Sequence, residues 1–304
     1  MINQTTPKKK KHTVKGFSID IPFVLALVCL IVIGLMMVYS TDLDASLRMQ
    51  EDPGYLFQRQ VMWIALGLAA MIFLAFFDYH NFEKLVIPFA AVVVILLFIV
   101  LVRNEVQFNS SRALVNGSVQ PGELAKVAVI LYLSVWLSRR NYDQLADVKS
   151  GLISLLIILA GVAALIFFQP DISAAITILA LGIMMFFLGG GSWKQILLLI
   201  GIGGVTGLLA IQFYTTGRVR VAEYLQGLED PTLSSYHIRR TFESVIKGGI
   251  FGVGLGNANT KFTGLPLPHT DSIFAVLAEE TGLFGSFILI GLYILLIWRG
   301  YKIA

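Results

Sequence analysis

Apolar runs about as long as a bilayer is thick recur along this whole chain, and that repetition leaves few folds open. A helix needs about 20 apolar residues to cross the hydrocarbon layer. Runs of that kind occupy residues 21–40, 60–78, 85–103, 119–138, 150–168, 172–189, 193–213 and 272–298. The charged content is 14%, against about 25% in soluble domains, and 56% of residues are hydrophobic, with mean hydropathy +0.78. The stretch from 150 to 189 is too long for one crossing and breaks at Gln169-Pro170-Asp171. The chain therefore reads as an all-α, polytopic membrane protein of about eight transmembrane helices.

Basic residues orient the spans, because cytoplasmic loops carry the excess of Lys and Arg. With the N-terminus inside, twelve fall on the cytoplasmic side (Lys8 to Lys11, Lys15, Lys84, Arg139, Arg140, Lys149, Lys194, Arg299, Lys302) and four in short outer loops (Arg48, Arg59, Arg103, Arg112). Residues 1–18 read as a basic cytoplasmic tail beside anionic lipid, and 19–304 as the membrane domain. Topology thus accounts for the net charge of +4 without nucleic acid. The first apolar run is of span length and has no small-residue cleavage site, so it is not expected to be a cleaved signal. The single Cys29 makes no intramolecular disulfide, and four His with one Cys form no metal-ligand spacing.

One connection is too long to be only a connection: residues 214–270, placed outside. Within it Ile238, Phe242, Val245 and Ile246 share one helical face, with Arg239, Arg240 and Lys247 nearby. The spacing predicts a basic amphipathic helix, lying on the bilayer surface or facing an anionic headgroup. Gly252, Gly254 and Gly256 do not make a nucleotide-binding fingerprint, nor a P-loop before Lys261. They read as turn and close-packing glycines.

Charged residues in or beside spans are few and each is a candidate for function. Glu123 and Lys126 follow Gln120-Pro121 three residues apart on one face, so they pair, either to lock helices or to floor a polar cavity. Asp171 stands where a helix N-cap or a cavity residue would stand. Asp271 precedes the last span, with His269, Thr270 and Lys261 near in sequence. It is either that span's cap or a general base toward a sugar hydroxyl. Glu279 and Glu280 lie two turns further in, and one of them should face a Lys or Arg.

These residues together resemble the SEDS family (shape, elongation, division and sporulation). Its pattern of roughly GxGLGNSxxK, LPEAHTDFIFA and EELG stands here as Gly252-Val-Gly254-Leu-Gly256-Asn257 to Lys261, Leu265-Pro-Leu-Pro-His269-Thr270-Asp271-Ser-Ile-Phe274-Ala, and Glu279-Glu280-Thr-Gly282. Gln120-Pro-Gly-Glu123-Leu-Ala-Lys126 is similar to its QPSELAK and Gln169-Pro170-Asp171 to its QPD turn. The GLGN spelling looks like the FtsW branch. The resemblance implies a peptidoglycan glycosyltransferase that polymerises lipid II at the outer face of the bacterial cytoplasmic membrane. It implies a class B penicillin-binding protein as partner, with other division or elongation proteins. It also implies Asp271 as the catalytic carboxylate. By chemistry the leaving diphosphate needs a cation: Lys126, Lys261, Arg239 or a divalent metal (Mg²⁺ or Mn²⁺). No cofactor is otherwise called for.

Three departures accompany the match. Leu267 and Ser272 stand where the family usually has Glu and Phe, and Ser111-Arg112-Ala113-Leu114 lacks the usual Trp. Family members usually have ten spans, and this sequence reaches Ala304 after the eighth, so it is expected to lack the family's last two helices, and the cavity one wall with them. A lipid II transporter and a non-catalytic division scaffold are the competing readings. A transporter needs polar groups through the full bilayer depth, whereas these cluster toward the outer side.

Overall fold

In a computed structural model, residues 19–48, 52–104, 120–169, 171–213 and 215–303 are described. The basic tail and the 111–114 departure lie outside them. The elements are helices: α1 Ile21–Arg48, α2 Tyr55–Phe76, α3 Phe82–Asn104, α4 Pro121–Ser138, α5 Tyr142–Ala146, α6 Ser154–Phe167, α7 Ile172–Leu188, α8 Trp193–Phe213, α9 Thr215–Glu229, α10 Tyr236–Gly248 and α11 Ile273–Ile303. A π-helical turn, Val148–Ile153, leads into α6. No strand occurs among the described residues. Six helices are long and apolar enough to cross a membrane, and the apolar stretches of α7 and α8, Ser173–Leu188 and Trp193–Leu209, are shorter.

The chain divides into two compact units, residues up to Ile72 with those from Glu223 onward, and Phe73–Ala222. In the second unit α4 packs on α3 and α7, and α6 on α7. Ala125 and Ala128 of α4 and Ala174 and Ala175 of α7 are all buried, a seam of small side chains. Small residues let helix backbones approach closely, which is what binds helices where lipid removes the hydrophobic drive between them. Leu97, Leu133, Leu155, Leu159, Ile166 and Ile178 complete this core. Gln169 donates to the Leu97 carbonyl at 2.7 Å, so its buried amide is not left unpaired. Gly151 is required where α5 meets the π turn, since a Cβ there would sit 2.2 Å from the Leu145 carbonyl oxygen.

In the first unit α11 packs against α1 and α10. Helix α1 runs past the expected end at residue 40, and Asp42 on it is buried. The Asp42 carboxylate accepts from Ser46 Oγ at 2.7 Å and from the backbone N–H of Leu56 at 3.0 Å. It therefore caps α2 from a neighbouring helix, satisfying an N–H that the first turn leaves without an intrahelical partner. At the other end Arg299 of α11 holds Asp20, just before α1, through two hydrogen bonds.

That clasp makes a pH prediction. The Arg299 hydrogen bonds, then the Phe23 N–H, hold the Asp20 carboxyl below its ordinary 3.8. A carboxylate with a lowered folded-state pKa stabilises the fold above its unfolded value and loses that contribution as pH falls through the lowered one. Thermal unfolding of wild type and Asp20→Asn should differ at neutrality, and the gap should close only below 3.8. A gap that persists unchanged into acid would rule the clasp out as its origin.

The long connection before α11 holds more helix than its sequence suggests. The helix expected around 238–246 is α10, and α9 is an addition. The seam of α10 toward α11 is small and polar, with Ser244 and Gly248 buried, while Ile238, Phe242 and Ile246 are exposed along the opposite edge. Its apolar edge thus faces away from the protein, an arrangement suited to lipid contact.

Candidate active site: an open carboxylate beside a broken helix

Helix α11 is two helices. At Gly282 the backbone turns to φ 70°, ψ −166°, which ends the first at Thr281. Positive φ of this kind is open to glycine and strained for other residues. The freed backbone groups are taken up by the glycine-rich segment before it. Val253 and Gly254 donate to the carbonyls of Glu279 and Glu280 at 3.0 Å each, and Leu283 and Phe284 donate to those of Gly249 and Ile250 at 2.9 and 3.1 Å. Non-helical backbone at membrane depth is tolerated where protein satisfies it, as here. The expected last span is present, and its helix is broken at Gly282.

The break places two adjacent carboxylates in different surroundings, both buried. Glu279 accepts from the backbone N–H groups of Asn259 at 2.9 Å and Thr260 at 3.3 Å, and from the Thr260 hydroxyl. It braces the 257–262 turn, and Ser244 of α10 joins through Thr260 at 2.6 Å. Glu280 pairs with Lys261 at 2.9 Å, both side chains being at most 2% exposed. The Lys261 ammonium also donates to Ser40 Oγ at 2.8 Å and the Gly256 carbonyl at 2.9 Å. An ammonium has three protons, so all are taken. A cavity of about 650 Å³ opens beside the pair, lined among others by Tyr39, Ser40, Asp42 and Phe262.

Residues 265–272 form a tight turn into α11. Leu267 is the one non-glycine residue among those described with positive φ, 45°, and its carbonyl accepts from Thr270 at 3.2 Å and Ser272 at 3.1 Å. The first helical N–H bonds run to the Ser272 carbonyl, which makes Ser272 the cap position. Asp271 therefore does not cap. It is exposed, beside exposed Thr270 and half-buried His269, and its carboxylate accepts no hydrogen bond among the described residues.

Ser272, where the family pattern has Phe, is buried and bonded to Pro266 O and to His237 Nε2 of α10, both at 2.7 Å. Its one proton goes to the carbonyl, so His237 carries the proton on Nε2 and donates. This ties α10 to the turn that presents Asp271. Ser272→Ala should lower unfolding free energy by about 1–3 kcal/mol, the cost of leaving buried polar partners unsatisfied. An unchanged melting temperature would show that water replaces the hydroxyl.

The remaining candidates belong to the other unit, except Arg239. Lys126 and Glu123 pair at 2.6 Å, with Glu123 60% exposed. Gln120 donates to Asp171 Oδ2 at 3.1 Å, joining the start of α4 to that of α7. Asp171 is buried and caps α7, accepting from Ala174 N at 3.2 Å and Ser173 Oγ at 3.0 Å. Arg239 is exposed and donates to the Thr232 carbonyl at 3.2 Å. No group of three or more His, Cys, Asp or Glu able to hold a metal occurs among the described residues.

Sequence reasoning singled out Glu279 and Glu280 but missed Ser40 and Thr260, which bond to them, and Asp42, which caps α2. Only Asp42 carried a signal, an acid directly after an apolar span.

These features define a class: a polytopic helical membrane protein with a discontinuous helix and an open carboxylate at the mouth of that helix. Residues 21–304 match the family described as cell cycle protein, FtsW/RodA/SpoVE, and the chain belongs to it. It is 32% identical over 298 residues to stage V sporulation protein E of Bacillus subtilis, covering 96% of this chain and 81% of that one. It is 35% identical over 280 residues to a Legionella pneumophila protein named probable peptidoglycan glycosyltransferase FtsW, covering 90% and 71%. A chain from the structure titled "Structural coordination of polymerization and crosslinking by a peptidoglycan synthase complex" superposes with TM-score 0.64 at 26% identity, over 92% of this chain and 76% of that one. The rod shape determining protein RodA of Thermus thermophilus shares the fold, with TM-score 0.60 at 24% identity over 93% and 74%.

Proposed function

We propose that this chain is a peptidoglycan glycosyltransferase that polymerises lipid II at the outer face of the bacterial cytoplasmic membrane, with Asp271 as its general base. One observation carries the assignment of the base. Of the carboxylates in and just before α11, Glu279 and Glu280 are each held by two or more partners, whereas Asp271 is exposed and accepts no hydrogen bond among the described residues. A base must reach the proton that it removes, and only an uncommitted carboxylate can.

In the reaction the Asp271 carboxylate takes the proton of the acceptor sugar hydroxyl as that oxygen bonds to the donor's anomeric carbon. The bond from that carbon to the diphosphate oxygen breaks, and the lipid diphosphate leaves with the electron pair. Its charge calls for a cation. Lys261 has no donor open. Arg239, in the same unit as Asp271, is exposed and gives one donor to the Thr232 carbonyl; it retains others and is assigned this role. The distribution of Lys and Arg supports a cytoplasmic N-terminus. Likeness to a synthase complex supports a class B penicillin-binding protein as partner.

The test is glycan formation from purified lipid II by the purified chain, with and without that partner. Polymer is expected. Lipid movement across vesicles with no polymer would instead make the protein a transporter. Arg239→Ala should slow polymerisation by roughly 10²-fold or more while the fold survives, since an exposed side chain of this kind moves stability by about 0.5 kcal/mol at most. Equal turnover by Arg239→Ala would remove Arg239 from the reaction.

A further inference from the structure

Away from these residues, a second cavity of about 430 Å³ lies in the Phe73–Ala222 unit, where α3 begins and α4 ends. It has two kinds of wall. Val86, Ile87, Tyr132 and Val135 make an apolar side continuous with spanning helices, and Arg139 and Arg140 make a cationic rim. Arg140 lies flat on Trp136, its Cζ 4.0 Å from the ring centroid, and one Nη1 proton goes to the Ser150 carbonyl. Arg139 directs Nε and Nη2 at Glu83, at 3.1 and 2.7 Å.

A guanidinium carries five N–H donors. Each arginine thus keeps donors that no acceptor among the described residues claims, and the stacking on Trp136 fixes one fork in place. Two carboxylates stand near: Glu83, engaged by Arg139, and Asp147, engaged by Ser150 N at 2.8 Å. No carboxylate lines the cavity itself.

We infer that this cavity binds the phosphodiester headgroup of an anionic phospholipid, with the acyl chains lying along the apolar wall. Guanidinium forks match phosphate oxygens in pairs. Basic pockets between spanning helices at the headgroup level are where anionic lipid is recognised. An apolar wall reaching into the bilayer fits a lipid better than a soluble anion.

The test uses the full chain with Trp63, Trp193 and Trp298 changed to Phe, so that Trp136 alone reports. In mixed bilayers, brominated phosphatidylglycerol should quench Trp136 at a lower mole fraction than brominated phosphatidylcholine. The expected preference is on the order of tenfold, the equivalent of one charge-assisted contact. The preference should fall in Arg139→Gln, whose half-exposed side chain is not needed for folding, and vanish when Arg140→Gln is added. Equal quenching by the two lipids, or a preference unchanged in Arg139→Gln, would overturn the proposal. Loss of the preference on adding glycerol 3-phosphate would also overturn it, in favour of a soluble phosphate ligand.

Discussion

Asp271→Asn should abolish most glycan synthesis and leave the fold untouched. A positioned general base contributes about 10²–10⁴-fold, and the amide cannot accept the proton. Stability should move by no more than about 0.5 kcal/mol, the usual range for an exposed position without partners. The two readouts must separate, because a structural role would move both. Asp171→Ala is the internal contrast. There the carboxylate is buried, caps α7 and accepts from Gln120, so about 1 kcal/mol of stability should go. Turnover retained by Asp271→Asn, measured with lipid II in detergent or vesicles, would remove the base from the mechanism. Turnover lost together with the melting transition would reduce it to a structural residue.

The second large effect falls on Lys261. Changing it to Met leaves Glu280 buried with its ammonium partner gone, and breaking a buried pair this way costs about 3–5 kcal/mol. The melting temperature of Lys261→Met should fall steeply. Adding Glu280→Gln should restore much of it, because replacing both members of a buried pair is far cheaper than removing one. This pattern distinguishes a structural lysine from a phosphate clamp. A clamp would lose rate at nearly constant stability, and the second substitution would rescue nothing. A stable, inactive Lys261→Met protein would return Lys261 to the list of cations for the diphosphate.

The membrane helices were legible because lipid imposes a length and an apolarity that composition records directly. The helix at 236–248 was legible from its apolar spacing, though that spacing did not show which edge packs inward. Ser244 and Gly248 pack, and Ile246 does not, because close approach to α11 selects small residues. Helix α9 was hidden by Val219, Val221, two glycines and a polar average, none of which marks a helix. The break in α11 was hidden for the opposite reason. The run from Ile273 to Ile303 is apolar almost throughout, and the groups that open it at Gly282 lie some thirty residues earlier in sequence. Asp271 could be singled out from its neighbours, but its freedom from capping could not, since that depends on Ser272 taking the cap position.

The same break bears on how the protein comes to be made. Ile273–Thr281 alone is nine residues, about 14 Å of helix at 1.5 Å per residue, less than half of a bilayer core of about 30 Å. A translocation channel that sorts nascent segments by hydropathy meets Ile273–Ile303 as one continuous insert. The discontinuity at Gly282 must then be installed after insertion, when residues 249–254 bring their peptide groups alongside. Biogenesis of this region accordingly has two stages, one governed by lipid and one by a few main-chain hydrogen bonds. The second stage also sets Glu280 against Lys261, so the pairing of these buried charges waits on an event that membrane integration alone does not deliver.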